Sequence, residues 1–264
     1  MKCLAVPILT FLILAAPRPV EANLFSDTGH SPKQETFENP ALRSVGRLFF
    51  DGETKCTATL VDTDLIVTAA HCVVDVDGKG RVNADHFTFI TGAKTESQGT
   101  RFPIDSNAIT VGTFEIRTET ELDVAFLRLA TPVDALNFPP ARIEPLSSSS
   151  AGERKYLTGY YHLADSSLDN TPTTEECEVV EPLKYGKDPS ETLFSYNCST
   201  TPGMSGAPYY AIRNGHVVIL GIHSGSAHEL QPVLPAHYTA QLANRAADGY
   251  VAMEVLAQFR KDHP

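Results

Sequence analysis

Apolar and polar positions alternate in short runs along most of the chain, the period of half-buried strands rather than of helices. Val45 to Phe50, Cys56 to Val61, Leu65 to Ala69, His86 to Thr91, Ile109 to Arg117 and Val124 to Leu129 form a first set, rich in β-branched and aromatic residues. Lys155 to Tyr161, Glu176 to Glu181, Leu193 to Cys198, Tyr209 to Arg213 and Val217 to Ile222 form a second. Asp51-Gly52, Asp77-Gly78 and Asn214-Gly215 mark turns, the last being a dipeptide favoured in two-residue hairpins. Between the sets, Pro132 to Gly152 carries four prolines and the serine run Ser147 to Ser150, and reads as a linker. Only the end has a helical period: Val251, Val255 and Phe259 fall four apart, with Leu256 beside them, and the pattern stops near Lys261. The pattern predicts an all-β fold of two six-stranded antiparallel β-barrels with a C-terminal helix. Residues 44–137 would form the first barrel, and 138–264 the linker, the second barrel and the helix.

The N-terminus has a different texture. Lys2 precedes an apolar run from Leu4 to Ala16 that is interrupted only by Pro7 and Thr10, and Val20-Glu21-Ala22 follows with a small residue at its end. This layout predicts a signal peptide over residues 1–22. A membrane anchor is the competing reading, but the run is shorter than the roughly 20 apolar residues that a spanning helix needs. Residues 23–43 are polar and aperiodic, and read as a propeptide or an N-terminal arm. The mature chain is therefore expected to be secreted, extracellular or periplasmic, free of membrane and monomeric.

Composition narrows the classes further. With 264 residues, 42% hydrophobic and 20% charged, the chain can bury a sizeable core, so wholesale disorder and fibrous repeats are excluded. A net charge of −11 opposes binding to phosphate backbones, and no nucleic-acid partner is expected. Once Cys3 leaves with the leader, Cys56, Cys72, Cys177 and Cys198 remain, an even number that in an exported chain predicts two disulfides. Three pairings are open. Cys56 with Cys72 and Cys177 with Cys198 is favoured, because each pair lies within one half of the chain. His71 beside Cys72 raises the alternative of a metal site, but no paired C-x-x-C spacing supports zinc, and no metal is expected.

Three local patterns carry chemistry. Thr68-Ala69-Ala70-His71-Cys72 closes an apolar strand, Asp123 heads the strand Val124-Ala125-Phe126-Leu127, and Pro202-Gly203-Met204-Ser205-Gly206 sets a serine in a glycine-rich turn. Serine is a weak nucleophile until a base takes its proton, histidine titrates near working pH, and a buried aspartate holds the imidazole in one tautomer. Gly203 permits a turn in which the amides of Gly203 and Ser205 point at one developing oxyanion. Each residue alone has an ordinary structural reading. Their joint occurrence, in the order His, Asp, Ser, points to nucleophilic catalysis.

On these segments the chain resembles the trypsin-like, chymotrypsin-fold serine proteases over about residues 44–261. The resemblance implies His71 as general base, Asp123 as its orienting acid, Ser205 as nucleophile and the Gly203 and Ser205 amides as oxyanion hole. It also implies a Cys56–Cys72 disulfide beside the histidine, polypeptide substrates and no cofactor. Ser199-Thr200-Thr201-Pro202-Gly203-Met204-Ser205-Gly206 and Gly221-Ile222-His223-Ser224-Gly225 resemble the bacterial glutamyl-endopeptidase-like branch. That resemblance implies that Thr200 and His223 line a pocket for an acidic P1 side chain, with Ser224 pairing the substrate backbone. Met204 stands where trypsin has the aspartate that receives its new N-terminus, so activation by that ion pair is not expected here. Ala207 is a second, milder departure.

An α/β-hydrolase esterase is the nearest rival enzyme. Its G-x-S-x-G elbow is broken by Ala207, and its order of Ser, acid, His is reversed here. A catalytically inactive protease homologue that acts as a secreted binding protein is the alternative from another class.

Overall fold

The computed structural model of the chain describes residues 24–25, 33–34, 37–74, 84–91, 99–112, 123–161, 172–182, 193–226, 235–236 and 244–264. The predicted leader, residues 23, 26–32 and 35–36 of the predicted arm, the Asp77-Gly78 turn and the end of the Ile109–Arg117 strand lie outside the described residues. Two short strands come first, β1 (Leu24–Phe25) and β2 (Lys33–Gln34). Six then close into a barrel: β3 (Val45–Phe50), β4 (Glu53–Asp62), β5 (Leu65–Thr68), β6 (Phe87–Thr91), β7 (Thr100–Val111) and β8 (Ala125–Leu129). They pair in the order β3-β4-β5-β8-β7-β6. Alternation places one set of side chains inside, and Leu48, Leu60, Ile66, Phe89, Ala125 and Leu127 form the buried interior.

The second half is a curled sheet. Its strands are β9 (Arg142–Ile143), β10 (Lys155–Tyr160), β11 (Pro172–Cys177), β12 (Val179–Pro182), β13 (Leu193–Tyr196), β14 (Pro208–Arg213) and β15 (His216–Ser226), then β16 (Pro235–Ala236) and β17 (Asn244–Asp248). The order is β12-β13-β17-β15-β14-β10-β11-β2, with β9 alongside β15, while β16 pairs with β1 in a separate sheet. Strands β11 and β12 are consecutive halves of one segment, separated only by Glu178, yet β11 pairs with β10 and β12 with β13. A bend at Glu178, whose N–H donates to Asn197 Oδ1 at 2.8 Å, therefore carries one chain segment to both sides of the sheet and curls it.

Most predicted strands coincide with observed ones. Asn214-Gly215 forms the β14–β15 hairpin, with φ of 52° and 76° and Arg213 opposite His216, the two positive values that a type I′ turn demands. Three differences have physical reasons. Strand β7 begins at Thr100, well before Ile109: Phe102 and Ile104 alternate with exposed Arg101 and Pro103 and reach the barrel interior, but Pro103 and the polar run Asp105-Ser106-Asn107 break the pattern along the chain. Strand β17 reads Asn-Arg-Ala-Ala-Asp, poor in β-formers. It is a strand because it fills the slot between β13 and β15, where only small Ala246 and Ala247 side chains fit, both fully buried. The proline-rich segment 132–152 is stitched to both halves: Ala141 N–H donates to Leu60 O at 2.8 Å and Glu144 N–H to Ile219 O at 2.9 Å.

The helix α1 (Gly249–Asp262) follows β17 directly. Asp248 caps it, its carboxylate accepting from Tyr250 N at 2.8 Å and from Leu146 N at 3.1 Å. Val251, Val255 and Phe259 are buried, as their spacing predicts, with Ala252 beside them. They join a cluster built from both halves: Val45, Val67 and Phe126 from the barrel, and Tyr160, Tyr210 and Ile219 from the curled sheet. Burying each such side chain is worth about 1.5–3 kcal/mol, so the helix fastens the two halves together. Among the described residues, no helix is long and apolar enough to cross a membrane.

Candidate active site

Strands β5 and β8 are antiparallel neighbours with Thr68 opposite Ala125. The residues just after β5 and just before β8 must therefore meet at the same end of the barrel. His71 lies there in a single 3-10 turn, Ala70–Cys72, and Asp123 two residues before β8. Asp123 is buried and His71 half-buried. Its Oδ1 accepts from the His71 backbone N–H at 2.9 Å, and its Oδ2 lies 2.8 Å from His71 Nδ1. Ser224 on β15 donates a third bond to the same Oδ2.

Burial pushes the Asp123 carboxyl up, but the His71 ring and these hydrogen bonds outweigh it and hold the group below the ordinary carboxylate range. An ionised carboxylate can only accept, so Nδ1 of His71 carries a proton and the lone pair of the neutral ring sits on Nε2.

The serine turn is held by the barrel itself. Thr57 on β4 donates its N–H to Ser205 O at 2.8 Å and its hydroxyl to Gly203 O at 2.8 Å. The same hydroxyl accepts from Tyr160 N at 3.1 Å, and Thr57 O accepts from Thr68 Oγ1 at 2.7 Å. Gly206 has a φ of +82° and presses on β5: a Cβ there would lie 2.2 Å from Thr68 Oγ1 and 2.9 Å from Ala69 N. Only glycine fits, and the contact sets Ser205 beside the strand end that bears His71. Within the turn, Ala207 N–H donates to Met204 O, and Gly206 N–H reaches across to His223 O, both at 2.8 Å. The amides of Gly203 and Ser205 have no hydrogen-bond partner among the described residues. Met204 is buried in the interior of the second half, which explains an apolar residue at this position.

The two sequence-favoured disulfides are both present. Cys56–Cys72 spans 6.2 Å between Cα atoms and ties the strand residue before Thr57 to the residue after His71. Cys177–Cys198 spans 5.1 Å and ties the end of β11 to the segment that leads into the serine turn. Cys56, His71 and Cys72 lie close enough to hold a metal, but both sulfurs are used in the disulfide.

The remaining sequence candidates each have partners of their own. Thr200 is buried, and its hydroxyl donates to Asn244 Oδ1 at 2.8 Å, while Asn244 Nδ2 donates to Cys198 O at 2.6 Å. His223 is buried on β15, its Nδ1 2.5 Å from the Tyr196 hydroxyl and 3.2 Å from Arg245 O. Burial depresses the ring to about 4, so at neutral pH it is uncharged. Ser224 sits at a bulge, since His223 pairs with Ala246 and Gly225 with Arg245, leaving Ser224 out of the ladder with β17.

Sequence reasoning missed Thr57, Tyr196, Asn244 and Glu175. The first three resemble ordinary strand residues, and no local signal marks them. Glu175 is unusual: it sits in β11 where alternation calls for a core residue. It is buried, its Oε2 accepts from Ser199 N at 2.7 Å, and its Oε1 has no partner among the described residues. Burial pushes it up to about 7 against the restraining bond from Ser199.

Two outcomes follow from these contacts. Thr57→Val removes the hydroxyl to which Gly203 O and Tyr160 N–H are both bonded. It should lower stability by about 1–3 kcal/mol in urea unfolding. Glu175 favours the fold while protonated, so its contribution is complete below the ordinary carboxyl value and lost as pH rises through about 7. Glu175→Gln should therefore raise the melting temperature at pH 8 and leave it unchanged at pH 4, the gain at pH 8 being on the order of 3 kcal/mol. An equal shift at both pH values would contradict a buried, titrating Glu175.

The family model for the trypsin-like peptidase domain matches residues 56–220, a stretch that includes His71, Asp123 and Ser205 and covers more than half of the chain. A closed six-stranded barrel, a second curled sheet and a C-terminal helix agree with the chymotrypsin-like fold. The chain belongs to the trypsin-like peptidase domain family, and so to the serine peptidases.

Proposed function

We propose that the protein is a secreted serine endopeptidase in which Ser205 attacks the scissile carbonyl, His71 takes its proton and Asp123 orients the ring. The observation that carries this reading is the double grip of Asp123 on the His71 backbone and Nδ1, at 2.9 and 2.8 Å, beside a turn that exposes Ser205. With Nδ1 protonated, Nε2 is the basic nitrogen. The unpartnered amides of Gly203 and Ser205 would receive the oxyanion, each worth about 3–4 kcal/mol of barrier. His71 then returns the proton to the leaving amine, and water, deprotonated by the same ring, releases the acyl group from Ser205. Every proton and electron pair is balanced without a cofactor.

A preference for Glu or Asp at P1 is supported by His223 and by the bulge at Ser224. A neutral imidazole offers a hydrogen bond to a carboxylate without the cost of a buried charge, and the unpaired backbone at Ser224 suits pairing with an extended substrate. Both disulfides and the N-terminal leader pattern support export to an oxidising compartment, periplasmic or extracellular.

Ser205→Ala should abolish peptide hydrolysis and labelling by a fluorophosphonate probe while melting at the wild-type temperature. Labelling of the mutant would take the nucleophile's role away from Ser205, and a wild type that neither labels nor cleaves would favour an inactive binding protein on a protease scaffold. Mass-spectrometric mapping of cuts in a denatured protein is expected to find them after Glu and Asp. His223→Ala should then reduce kcat/KM for acidic P1 peptides at least tenfold more than for others, the size of one lost hydrogen bond to a charged group. An equal loss on all peptides would remove His223 from the pocket.

A further inference from the structure

We propose that Tyr196 is a positioning residue for specificity: its hydroxyl fixes His223 in the tautomer that carries its proton on Nε2, presenting that N–H as the donor to the P1 side chain. The inference rests on the reading of His223 as a pocket residue and adds what decides the polarity of that pocket.

The argument starts from the buried phenol. Tyr196 on β13 is fully buried, and among the described residues its hydroxyl has a single hydrogen-bond partner, His223 Nδ1 at 2.5 Å. The two rings meet edge to face, with centroids 6.0 Å apart. Burial, reinforced by Tyr209, Glu175 and Tyr161, holds the phenol well above its ordinary value, so it is an O–H and not a phenolate. A buried O–H must donate, and Nδ1 is the acceptor within reach. In a neutral ring the proton then sits on Nε2.

The opposite tautomer has a partner too, since Nδ1–H could donate to Arg245 O at 3.2 Å. That arrangement turns a second donor toward the Tyr196 O–H and leaves the phenolic proton unsatisfied in the interior. The shorter contact to Tyr196 and the lack of another acceptor decide against it. The groups facing His223 are His71, Asp123 and Arg245, and the net effect of burial and these neighbours is a ring that is neutral at working pH.

Tautomer matters here because the other pocket candidate cannot replace it. Asn244 donates its Nδ2 to Cys198 O, so its Oδ1 is the acceptor that holds the Thr200 hydroxyl proton. Thr200 therefore turns lone pairs, not a donor, toward any neighbour. His223 Nε2 has no partner among the described residues, and as an N–H it is the one donor of the pair available to a carboxylate. With the proton on Nδ1 instead, both groups would present lone pairs and repel an acid.

The test has two arms. In protein labelled with ¹⁵N-histidine, His223 at pH 7 should give a pyridine-type Nδ1 and a pyrrole-type Nε2. Tyr196→Phe should exchange the two, as Nδ1–H turns to Arg245 O. A pyrrole-type Nδ1 in the wild type overturns the proposal, whether or not the variant folds. In the second arm, kcat/KM is followed against pH for matched peptides with Glu or Leu at P1. Tyr196→Phe should lower the Glu-to-Leu ratio about tenfold at pH 8. The loss should be confined to the Glu peptide near and above neutral pH, where the His223 ring and the P1 carboxylate each keep one charge state. A fall that is equal for both peptides would make Tyr196 a packing residue only. Failure of the pocket reading is separate: there His223→Ala leaves the Glu-to-Leu ratio unchanged while the ¹⁵N pattern still reports the tautomer.

Discussion

Thr57 is the residue on which the site's geometry depends. It is a buried strand residue of the first barrel, and all of its polar atoms are engaged, with the serine turn, with β5 and with β10. Its N–H and hydroxyl hold Ser205 O and Gly203 O, which fixes the peptide planes on either side of the one that carries the Ser205 N–H. Its carbonyl is held by Thr68, three residues before His71. The serine turn and the histidine strand are thus two ligands of one residue. The neighbouring Cys56–Cys72 disulfide closes the same connection covalently.

Two buried acids show how differently a fold can treat one functional group. Asp123 receives three hydrogen bonds and faces a ring that can carry positive charge, and it stays ionised. Glu175 receives its bond from Ser199 on one oxygen, has aromatic neighbours and a disulfide around it, and is driven toward the protonated form. The charge that would serve chemistry is kept where donors converge. The other acid keeps hold of the strand leading to Thr200 by giving up its charge.

The fold was legible wherever a local pattern reports a local environment. The β3 and β5 runs, the Asn214-Gly215 hairpin and the Val251-Val255-Phe259 face all stand as their periods predict. Strand β17 was not legible, because two flanking strands make it a strand and its own residues do not. The first half of β7 escaped for another reason: Phe102 and Ile104 do alternate into the core, but Pro103 and the polar run Asp105-Ser106-Asn107 interrupt the pattern before Ile109.

The same division runs through the site. Sequence by itself determined which residue types were present in which order: a histidine ending one apolar strand, an aspartate heading another, a serine between glycines, and four cysteines, two in each half. Tertiary structure decided what those residues touch. The Thr57 hydroxyl meets a carbonyl 146 positions away, and the Ser224 hydroxyl meets a carboxylate 101 positions away. Whether Glu175 is charged, and which nitrogen of His223 holds its proton, follow from burial and from a single phenol. Those are properties of neighbours brought close by strand register, and a linear pattern, which records only what lies a few residues away, contains no trace of them.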